Sequence, residues 1–416
     1  MEIFKIKPTE YNGEIQAPPS KSFAHRILIC AYLSGKEITV KNIGESDDAI
    51  VTLNALKTLG ATVTKIEDGV IVKKGELPSN KVIIDCNESG SSLRFLLPVV
   101  SALGVKAEFT GRGKLLQRPI KELVDCLNLH DALIDGYTVS GKLSNGEYLV
   151  DGSISSQYVT GLMLALSALE GESEIIVNGT LVSEPYVNIT ISVLKDFGVE
   201  VLKTQRGYKI IGGYNPNKTE FTVEGDWSGV AFPLVAGAVG GDVTVKGLNL
   251  NSVQGDIEIL KILDSFGASV TQNGDSVTVK KSTLSGVTLD MDNVPDLCQI
   301  VSVLGAYACG TTEIYGVERL KIKESDRIQA IIDMLGACSI KAEYNGEKIT
   351  IYGGKPKGAT LSGGKDHRTV MSSAVLAGSA DGESAITGAE YYRKSYPEFV
   401  KDFRAIGGEI DVEIHG

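Results

Sequence analysis

The feature of this sequence that most constrains its fold is a unit of about 70 residues that occurs six times. In each copy a helical pattern ends at a glycine or a substitute, and an alternating strand pattern follows, as in Leu263–Val270 (LDSFGASV). These helix ends fall at positions 60, 130, 198, 267, 336 and 407, and His130 takes the glycine's place in the second copy. The spacing of 68 to 71 residues accounts for the whole chain of 416, so each unit is predicted to run helix, strand, helix, strand, strand.

The two helices of each unit differ in their hydrophobic pattern. The first is apolar nearly all round, as in Leu162–Leu166, and should be buried. The second is amphipathic, as in Ile257–Leu263, and should lie outside. Buried helices with sheets around them make an inside-out α/β arrangement. Six units divide naturally into two lobes of three, residues 1–20 plus 227–416 and residues 21–226, with the N-terminal strand in the first lobe.

Composition narrows the possible partners. The formal net charge of −11 argues against nucleic acid or an acidic membrane, so an anionic ligand must be met by a local cluster of cations. The six cysteines form no C-x-x-C pair and are predicted to be small buried residues of a reduced, cytoplasmic protein. The four histidines are scattered, so no metal site is proposed. The start of the chain lacks the apolar region of a signal peptide, and no run has the length of a membrane span.

Polar residues that neither a core nor a surface explains recur at the starts of helices, in register with the repeat. Helix N-termini offer N–H groups and a positive field, serines add neutral ligands, and arginines bind carboxylate or phosphate in a forked manner. At the apolar helices these residues are Lys21, Ser22, Arg26, Ser89, Gly90, Ser91, Ser92, Arg94, Ser155, Ser156, Gln157, Asp226, Ser228, Asp296, Asp366, His367 and Arg368. At the outer helices they are Arg118, Ser183, Lys323, Glu324, Arg327 and Lys394.

Each of these residues also has a purely structural interpretation. Ser155 and Asp296 could be helix caps, and the Lys323–Arg327 segment could be a surface ion-pair network. His367 could be a histidine at a core boundary, and Lys394 a solvated lysine. Their common register in a six-fold repeat favours a shared anion site over five separate explanations.

The same stretches, in the same order, resemble the EPSP synthase family (3-phosphoshikimate 1-carboxyvinyltransferases) over essentially the full length of the chain. The resemblance rests on ten short motifs in the order of that family. They are Ser20-Lys21-Ser22 with Arg26, Ser89–Arg94, Gln117–Ile120, Gly152–Gln157, Ser183–Tyr186, Val223–Asp226, Pro295-Asp296, Lys323–Arg327, Asp366–Arg368 and Lys394–Pro397.

The resemblance implies two lobes, each of three βαβαββ units, that close on their substrates at the hinge. It implies transfer of the enolpyruvyl group of phosphoenolpyruvate to the 5-hydroxyl of shikimate 3-phosphate, with release of phosphate and without a cofactor or metal. The residues that it assigns to shikimate 3-phosphate are Lys21, Ser22, Arg26, Ser155, Ser156, Gln157, Ser183, Asp296 and Lys323. Those that it assigns to phosphoenolpyruvate are Lys21, Gly90, Arg118, Gln157, Arg327, His367, Arg368 and Lys394.

The chemistry needs a base for the attacking hydroxyl and an acid for C3 of phosphoenolpyruvate. Asp296 is the candidate base with Lys323 beside it, and Glu324 or Lys21 is the candidate for the proton at C3. The family expectation is a monomer in the cytoplasm. Glu88 and Arg319 stand where the family commonly has asparagine, which bears on local contacts and on the response to inhibitors.

Two other functions compete with this interpretation. The sister enzyme UDP-N-acetylglucosamine 1-carboxyvinyltransferase shares the repeat and the N-terminal lysine, but many members carry a cysteine before Arg-Pro, and residues 111–118 here contain none. A non-catalytic binder of small anions would not require Asp296, Lys323 and Glu324 together. RNA processing on a related fold is disfavoured by the charge.

Overall fold

A computed structural model describes residues 1–415 and divides the chain into two compact units. One, the split unit, combines Met1–Pro18 with Gly225–Gly416, and the other, the continuous unit, is Pro19–Glu224. These boundaries lie two residues before those expected from the repeat.

The α-helices alternate between inner and outer positions along the chain. Within residues 1–415 the twelve helices are α1 (Lys21–Leu33), α2 (Asp47–Thr58), α3 (Gly90–Leu103), α4 (Lys121–Asn128), α5 (Ser156–Leu166), α6 (Glu184–Asp196), α7 (Trp227–Gly240), α8 (Ile259–Ser265), α9 (Cys298–Tyr307), α10 (Arg327–Ala337), α11 (His367–Gly378) and α12 (Phe399–Ala405). Short 3₁₀ turns precede several of them: Leu115–Gln117, Gly255–Glu258, Pro295–Leu297, Glu318–Ile322 and Ala389–Lys394.

The strands are short and follow the helices in a fixed pattern. In the described part of the chain they are β1 (Glu2–Lys7), β2 (Tyr11–Gln16), β3 (Ile38–Lys41), β4 (Thr62–Ile66), β5 (Gly69–Lys73), β6 (Val82–Asp85), β7 (Ala107–Thr110), β8 (Ile134–Asp135), β9 (Thr138–Val139), β10 (Glu147–Asp151), β11 (Gly171–Asn178), β12 (Glu200–Lys203), β13 (Gly207–Gly212), β14 (Glu220–Thr222), β15 (Gly241–Lys246), β16 (Ser269–Asn273), β17 (Ser276–Lys280), β18 (Thr288–Asp290), β19 (Thr311–Tyr315), β20 (Ala342–Tyr344), β21 (Ile349–Tyr352), β22 (Thr360–Ser362), β23 (Ser384–Thr387) and β24 (Glu409–Ile414).

Over residues 1–415 these strands form six four-stranded sheets of one topology. In the sheet β6-β7-β9-β8 the first pair is parallel and the other two are antiparallel, and the remaining sheets repeat this order. Three sheets combine strands that are distant in sequence. The first strand β1 pairs with β23 and β24, β2 pairs with β15, and β14 pairs with β3. The N-terminal strand thereby completes the last repeat of the split unit.

The inner helices form the core of each unit. Except for Ser228, every residue of α7 is buried, and α7, α9 and α11 pack on one another within the split unit. A side-chain oxygen caps most of these starts: Ser89 accepts from the backbone N–H of Ser92, and Asp366 accepts from that of Arg368. No helix within residues 1–415 has both the length and the apolar character needed to cross a bilayer.

The structure corrects four details of the repeat. Helix α10 continues through Gly336, and the left-handed residue that follows it is Ser339 (φ 65°). After α4 the left-handed residue is Asp131 (φ 69°) rather than His130, because the helix end winds one residue further before it turns. The apolar pattern of the sequence predicts helix starts near Ser153 and Asn293, whereas α5 and α9 begin at Ser156 and Cys298. Among residues 1–415 five cysteines are buried as expected, but Cys309 is exposed; it lies between α9 and β19 and forms an isolated β-bridge with Ser285.

Candidate active site

The most buried charged cluster of the split unit surrounds Arg327, the first residue of α10. Its side chain is 2% exposed and reaches three carboxylates. The Nε group donates to Oδ2 of Asp366 at 2.8 Å, Nη1 to Oδ1 of Asp296 at 2.9 Å, and Nη2 to Oε2 of Glu324 at 2.9 Å. The structure therefore brings together two predicted catalytic residues and one predicted phosphoenolpyruvate ligand.

Arg368, in the first turn of α11, also contacts Asp296. Its Nη1 donates to the backbone carbonyl of Asp296 at 2.7 Å, and its Nη2 donates to Oδ2 of Asp296 at 3.1 Å. The same Nη2 donates to the hydroxyl of Ser228 at 2.7 Å. Two guanidinium groups thus converge on Asp296, and the 3₁₀ turn Pro295–Leu297 fixes its position.

Two lysines and a histidine complete this cluster. Nζ of Lys323 lies 3.5 Å from Oδ1 of Asp296, and Nζ of Lys394 lies 3.7 Å from Oε1 of Glu324. His367 is 2% exposed, with Nδ1 3.8 Å from Oδ1 of Asp366. The alternative interpretation of Lys394 as a solvated lysine is wrong, because its side chain is only 8% exposed. Four cationic side chains face three carboxylates here, so the cluster keeps a net positive charge suited to an anion.

The electrostatics of the cluster favour ionised carboxylates. Burial would raise the pKa of Asp296, but Arg368, Lys323 and Arg327 together lower it well below its ordinary value of 3.8. For Asp366 burial likewise opposes ionisation, but the charges of Arg327 and His367 and the hydrogen bond from Arg327 together lower the pKa. Both aspartates are therefore charged at neutral pH, and Asp296 is a weak base while the guanidinium groups hold it.

In the continuous unit, Lys21 begins α1 and is held by an acid from α2. Its Nζ lies 3.0 Å from Oδ2 of Asp48, whose side chain is 6% exposed. His25, one turn further along α1, contacts the hydroxyl of Thr52 through Nδ1 at 2.6 Å. Burial lowers the pKa of His25 to about 3, so it is neutral beside Lys21. A cation in the first turn opposes the helix dipole, and Asp48 stabilises Lys21 there.

Arg26 lies deeper than its predicted role suggests. The guanidinium is 2% exposed and donates to the Thr190 hydroxyl at 2.8 Å and to the Tyr186 carbonyl at 3.0 Å. Nη1 donates to the backbone carbonyl of Ser22 at 2.7 Å. Arg26 therefore ties α1 to the first turns of α6, where Ser183 adopts a left-handed conformation (φ 52°) that is uncommon for serine.

Gly90 and Arg118 are close neighbours, as the phosphoenolpyruvate assignment requires. A Cβ atom at Gly90 would lie 2.4 Å from Nη1 of Arg118, so a larger residue would displace the guanidinium. This contact joins the start of α3 to the segment just before Pro119.

Gln157 is oriented by two residues of α3. Its Oε1 accepts from Nη1 of Arg94 at 2.7 Å, and its Nε2 donates to the Ser91 hydroxyl at 3.0 Å. Ser155 caps α5 by accepting from the backbone N–H of Gln157 at 3.3 Å, and Ser156 is buried beside it. The structural interpretation of Ser155 as a cap is thus correct, and it leaves a role in substrate binding open.

Three contributors were not identified as site residues from the sequence. Asp48 lies in the segment Ser46-Asp47-Asp48, whose cap and acidic first turn are typical of any helix N-terminus, so the sequence did not single it out. Ser228 and Arg94 were noted only for their register, and no pattern showed that Ser228 contacts Arg368 or that Arg94 contacts Gln157.

Arg319, which stands where the family commonly has asparagine, pairs through Nη2 with Oδ1 of Asp292 at 2.9 Å. Within residues 1–415 no group of three or more His, Cys, Asp or Glu side chains is placed to hold a metal.

The split unit thus combines buried helices, four-stranded sheets and two buried guanidinium groups that contact the carboxylate of Asp296. A solved EPSP synthase from Acinetobacter baumannii superposes over the full length of both chains with a TM-score of 0.84 at 24% identity. This likeness confirms the predicted inside-out α/β fold.

Sequence comparison goes further than the fold. The family model for EPSP synthase (3-phosphoshikimate 1-carboxyvinyltransferase) matches residues 6–403. The 3-phosphoshikimate 1-carboxyvinyltransferases of Clostridium kluyveri and Clostridioides difficile strain 630 are 39% and 37% identical, and each alignment covers 99% of both chains. The chain belongs to the EPSP synthase family, and it is a transferase.

Proposed function

We propose that this chain transfers the enolpyruvyl group of phosphoenolpyruvate to the 5-hydroxyl of shikimate 3-phosphate, in the shikimate pathway to chorismate and the aromatic amino acids. The hydroxyl oxygen bonds to C2 of phosphoenolpyruvate and loses its proton, while C3 gains one. The tetrahedral adduct then loses phosphate, C3 gives up a proton, and the vinyl ether forms. The names of the full-length relatives support this acceptor over a sugar nucleotide.

Most of the proposed phosphoenolpyruvate ligands are cationic side chains. In the split unit we assign Arg327, His367, Arg368 and Lys394 to phosphoenolpyruvate, and in the continuous unit Lys21, Gly90, Arg118 and Gln157. Charge-assisted hydrogen bonds of this kind contribute about 1.5–3 kcal/mol each, so several of them can hold a trianion on a protein of negative net charge.

Neutral donors and four charged residues serve the other substrate in this proposal. Ser155, Ser156, Ser183 and Gln157 offer hydroxyl and amide ligands for the 3-phosphate, with Ser22 and Lys21 nearby in the same unit. Asp296 and Lys323 take the 5-hydroxyl side. Arg26 acts by fixing α1 against α6 and by its charge, since its guanidinium is 2% exposed.

The observation that carries this proposal is the double guanidinium contact of Asp296, from Arg327 and from Arg368. A phosphate or carboxylate that binds these guanidinium groups competes with Asp296 for their N–H donors. As the competing anion takes over, the charges that lowered the pKa of Asp296 are neutralised, and the carboxylate becomes a stronger base. Arrival of phosphoenolpyruvate thereby prepares Asp296 to take the 5-hydroxyl proton, and Glu324 or Lys21 handles the proton at C3.

A pair of arginine variants tests the substrate assignment. Arg118→Ala should raise KM for phosphoenolpyruvate by about 10²-fold and change KM for shikimate 3-phosphate little, because one bidentate contact worth about 3 kcal/mol is lost. Arg112→Ala is the matched control, since this neighbouring side chain is 75% exposed and pairs with Asp85 at 3.7 Å. Equal KM values for the two variants would show that Arg118 does not bind phosphoenolpyruvate.

We further propose that the enzyme acts in the cytoplasm and that it is a monomer. Analytical sedimentation of the purified protein tests the oligomeric state.

A further inference from the structure

Ser228 is a neutral partner of Arg368. Its hydroxyl accepts from Nη2 at 2.7 Å, a shorter contact than the 3.1 Å between Nη2 and the carboxylate of Asp296. A carboxylate orients a guanidinium group but also cancels its charge, whereas a hydroxyl orients it and leaves the charge available to a ligand. Arg368 is buried, with 6% exposure. A hydrogen-bond acceptor that orients its guanidinium group therefore has a larger effect than it would on a mobile surface side chain.

The start of α7 holds the Ser228 hydroxyl in place. The backbone N–H of Ser228 donates to Oδ1 of Asp226, which caps the helix. The preceding residue, Trp227, is fully buried and anchored twice: its backbone N–H donates to Oε1 of Gln254 at 3.2 Å, and its indole N–H donates to the Asn249 carbonyl at 3.1 Å. The backbone that carries Ser228 is therefore fixed independently of Arg368 and Asp296.

From this geometry we propose that Ser228 is a positioning residue for phosphoenolpyruvate binding, which keeps the Arg368 fork oriented without neutralising it. The inference rests on the proposed role of Arg368 and adds to it a residue that does not touch substrate. When Asp296 turns from Arg368 to the attacking hydroxyl, Ser228 remains as an acceptor for Nη2. Loss of Ser228 therefore weakens binding of the anion that Arg368 holds and leaves binding of the other substrate unchanged.

The test measures both KM values and kcat for the purified full-length Ser228→Ala, Ser228→Thr and Arg368→Ala variants. Ser228→Ala should raise KM for phosphoenolpyruvate about tenfold, equivalent to about 1.4 kcal/mol, with KM for shikimate 3-phosphate within about twofold of wild type. Ser228→Thr keeps the hydroxyl and should restore most of the affinity. Ser265→Ala is the control, because this serine of α8 is in the same unit and its hydroxyl donates only to its own helix, at the Ile262 carbonyl (2.7 Å).

Each outcome decides between the two proposals. If Arg368→Ala raises KM for phosphoenolpyruvate while Ser228→Ala behaves like Ser265→Ala, the positioning role is wrong and the proposed function stands. If Ser228→Ala raises both KM values together and lowers the melting temperature, its role is structural, and the inference fails. If Arg368→Ala leaves KM for phosphoenolpyruvate unchanged, the role of Arg368 fails, and that of Ser228 fails with it.

Discussion

Replacing Asp366 by asparagine isolates one buried ion pair of the candidate site. Asp366 is fully buried and accepts from Arg327 at 2.8 Å, and it also caps α11 by accepting from the backbone N–H of Arg368 at 2.9 Å. Asparagine is as good a cap as aspartate, so the substitution removes the charge and keeps the cap. What is lost is therefore the attraction between a buried carboxylate and a buried guanidinium.

The magnitude follows from what remains around Arg327. Removal of one partner from a buried pair costs about 3–5 kcal/mol. Asp296 and Glu324 still contact Arg327, both at 2.9 Å, so the lower end applies and the unfolding free energy should fall by about 3 kcal/mol. For a unit of roughly 200 residues this corresponds to a melting temperature about 9 °C lower, measured by scanning calorimetry at neutral pH.

The control is the same substitution at an exposed cap. Asp326 accepts from the backbone N–H groups of Ile328 and Gln329 at 3.1 Å at the start of α10. Asp326→Asn should change the unfolding free energy by no more than about 0.5 kcal/mol, because the cap survives and no buried charge is stranded. Equal melting temperatures for the two variants would refute the argument that Asp366 is held by a strong buried pair.

Three further predictions concern catalysis and pH. Asp296→Asn should lower kcat by about 10²-fold or more and weaken shikimate 3-phosphate binding far less, as calorimetric titration can show; a near-normal kcat would end its assignment as the base. The lowered pKa of Asp366 contributes stability that is present above its ordinary pKa of 3.8 and is lost as pH falls through the folded value. The stability gap between wild type and Asp366→Asn should therefore narrow in acid melts, and a constant gap would contradict this. Burial lowers the pKa of His25 to about 3 in the folded protein, so the unfolded chain binds this proton first as the pH falls. The free energy of unfolding should therefore decrease as the pH falls from 6.5 to 3. His25→Gln should remove part of that loss, and an imidazole titration near neutrality by NMR would refute burial of the neutral ring.

Much of the fold was predictable because the repeat is periodic and local. A glycine at C′ needs only the left-handed conformation, and Gly60, Gly198, Gly267 and Gly407 all adopt it. The prediction was wrong for α10, which continues through Gly336. The left-handed residue that follows this helix is Ser339. The sequence of one repeat carries no signal for how far a helix winds before tertiary packing stops it.

The site was predictable as a set of residue types and less so as a set of contacts. Motifs identified Arg327, Asp296 and Glu324, but their convergence on one guanidinium depends on two segments that meet only in the folded unit. Arg26 has the expected register, yet it points towards α6 because Thr190 and the Tyr186 carbonyl offer acceptors there. Long-range acceptors of this kind leave no periodic mark in a sequence.

The acceptor is identified by measuring phosphate release from phosphoenolpyruvate by the purified protein with shikimate 3-phosphate, with UDP-N-acetylglucosamine, and without acceptor. We expect phosphate release only with shikimate 3-phosphate, in equal amount to the 5-enolpyruvylshikimate 3-phosphate formed, and strongly reduced by Asp296→Asn. Turnover with the sugar nucleotide alone would contradict the acceptor assignment. Tight binding of both substrates without phosphate release would instead identify a non-catalytic anion binder.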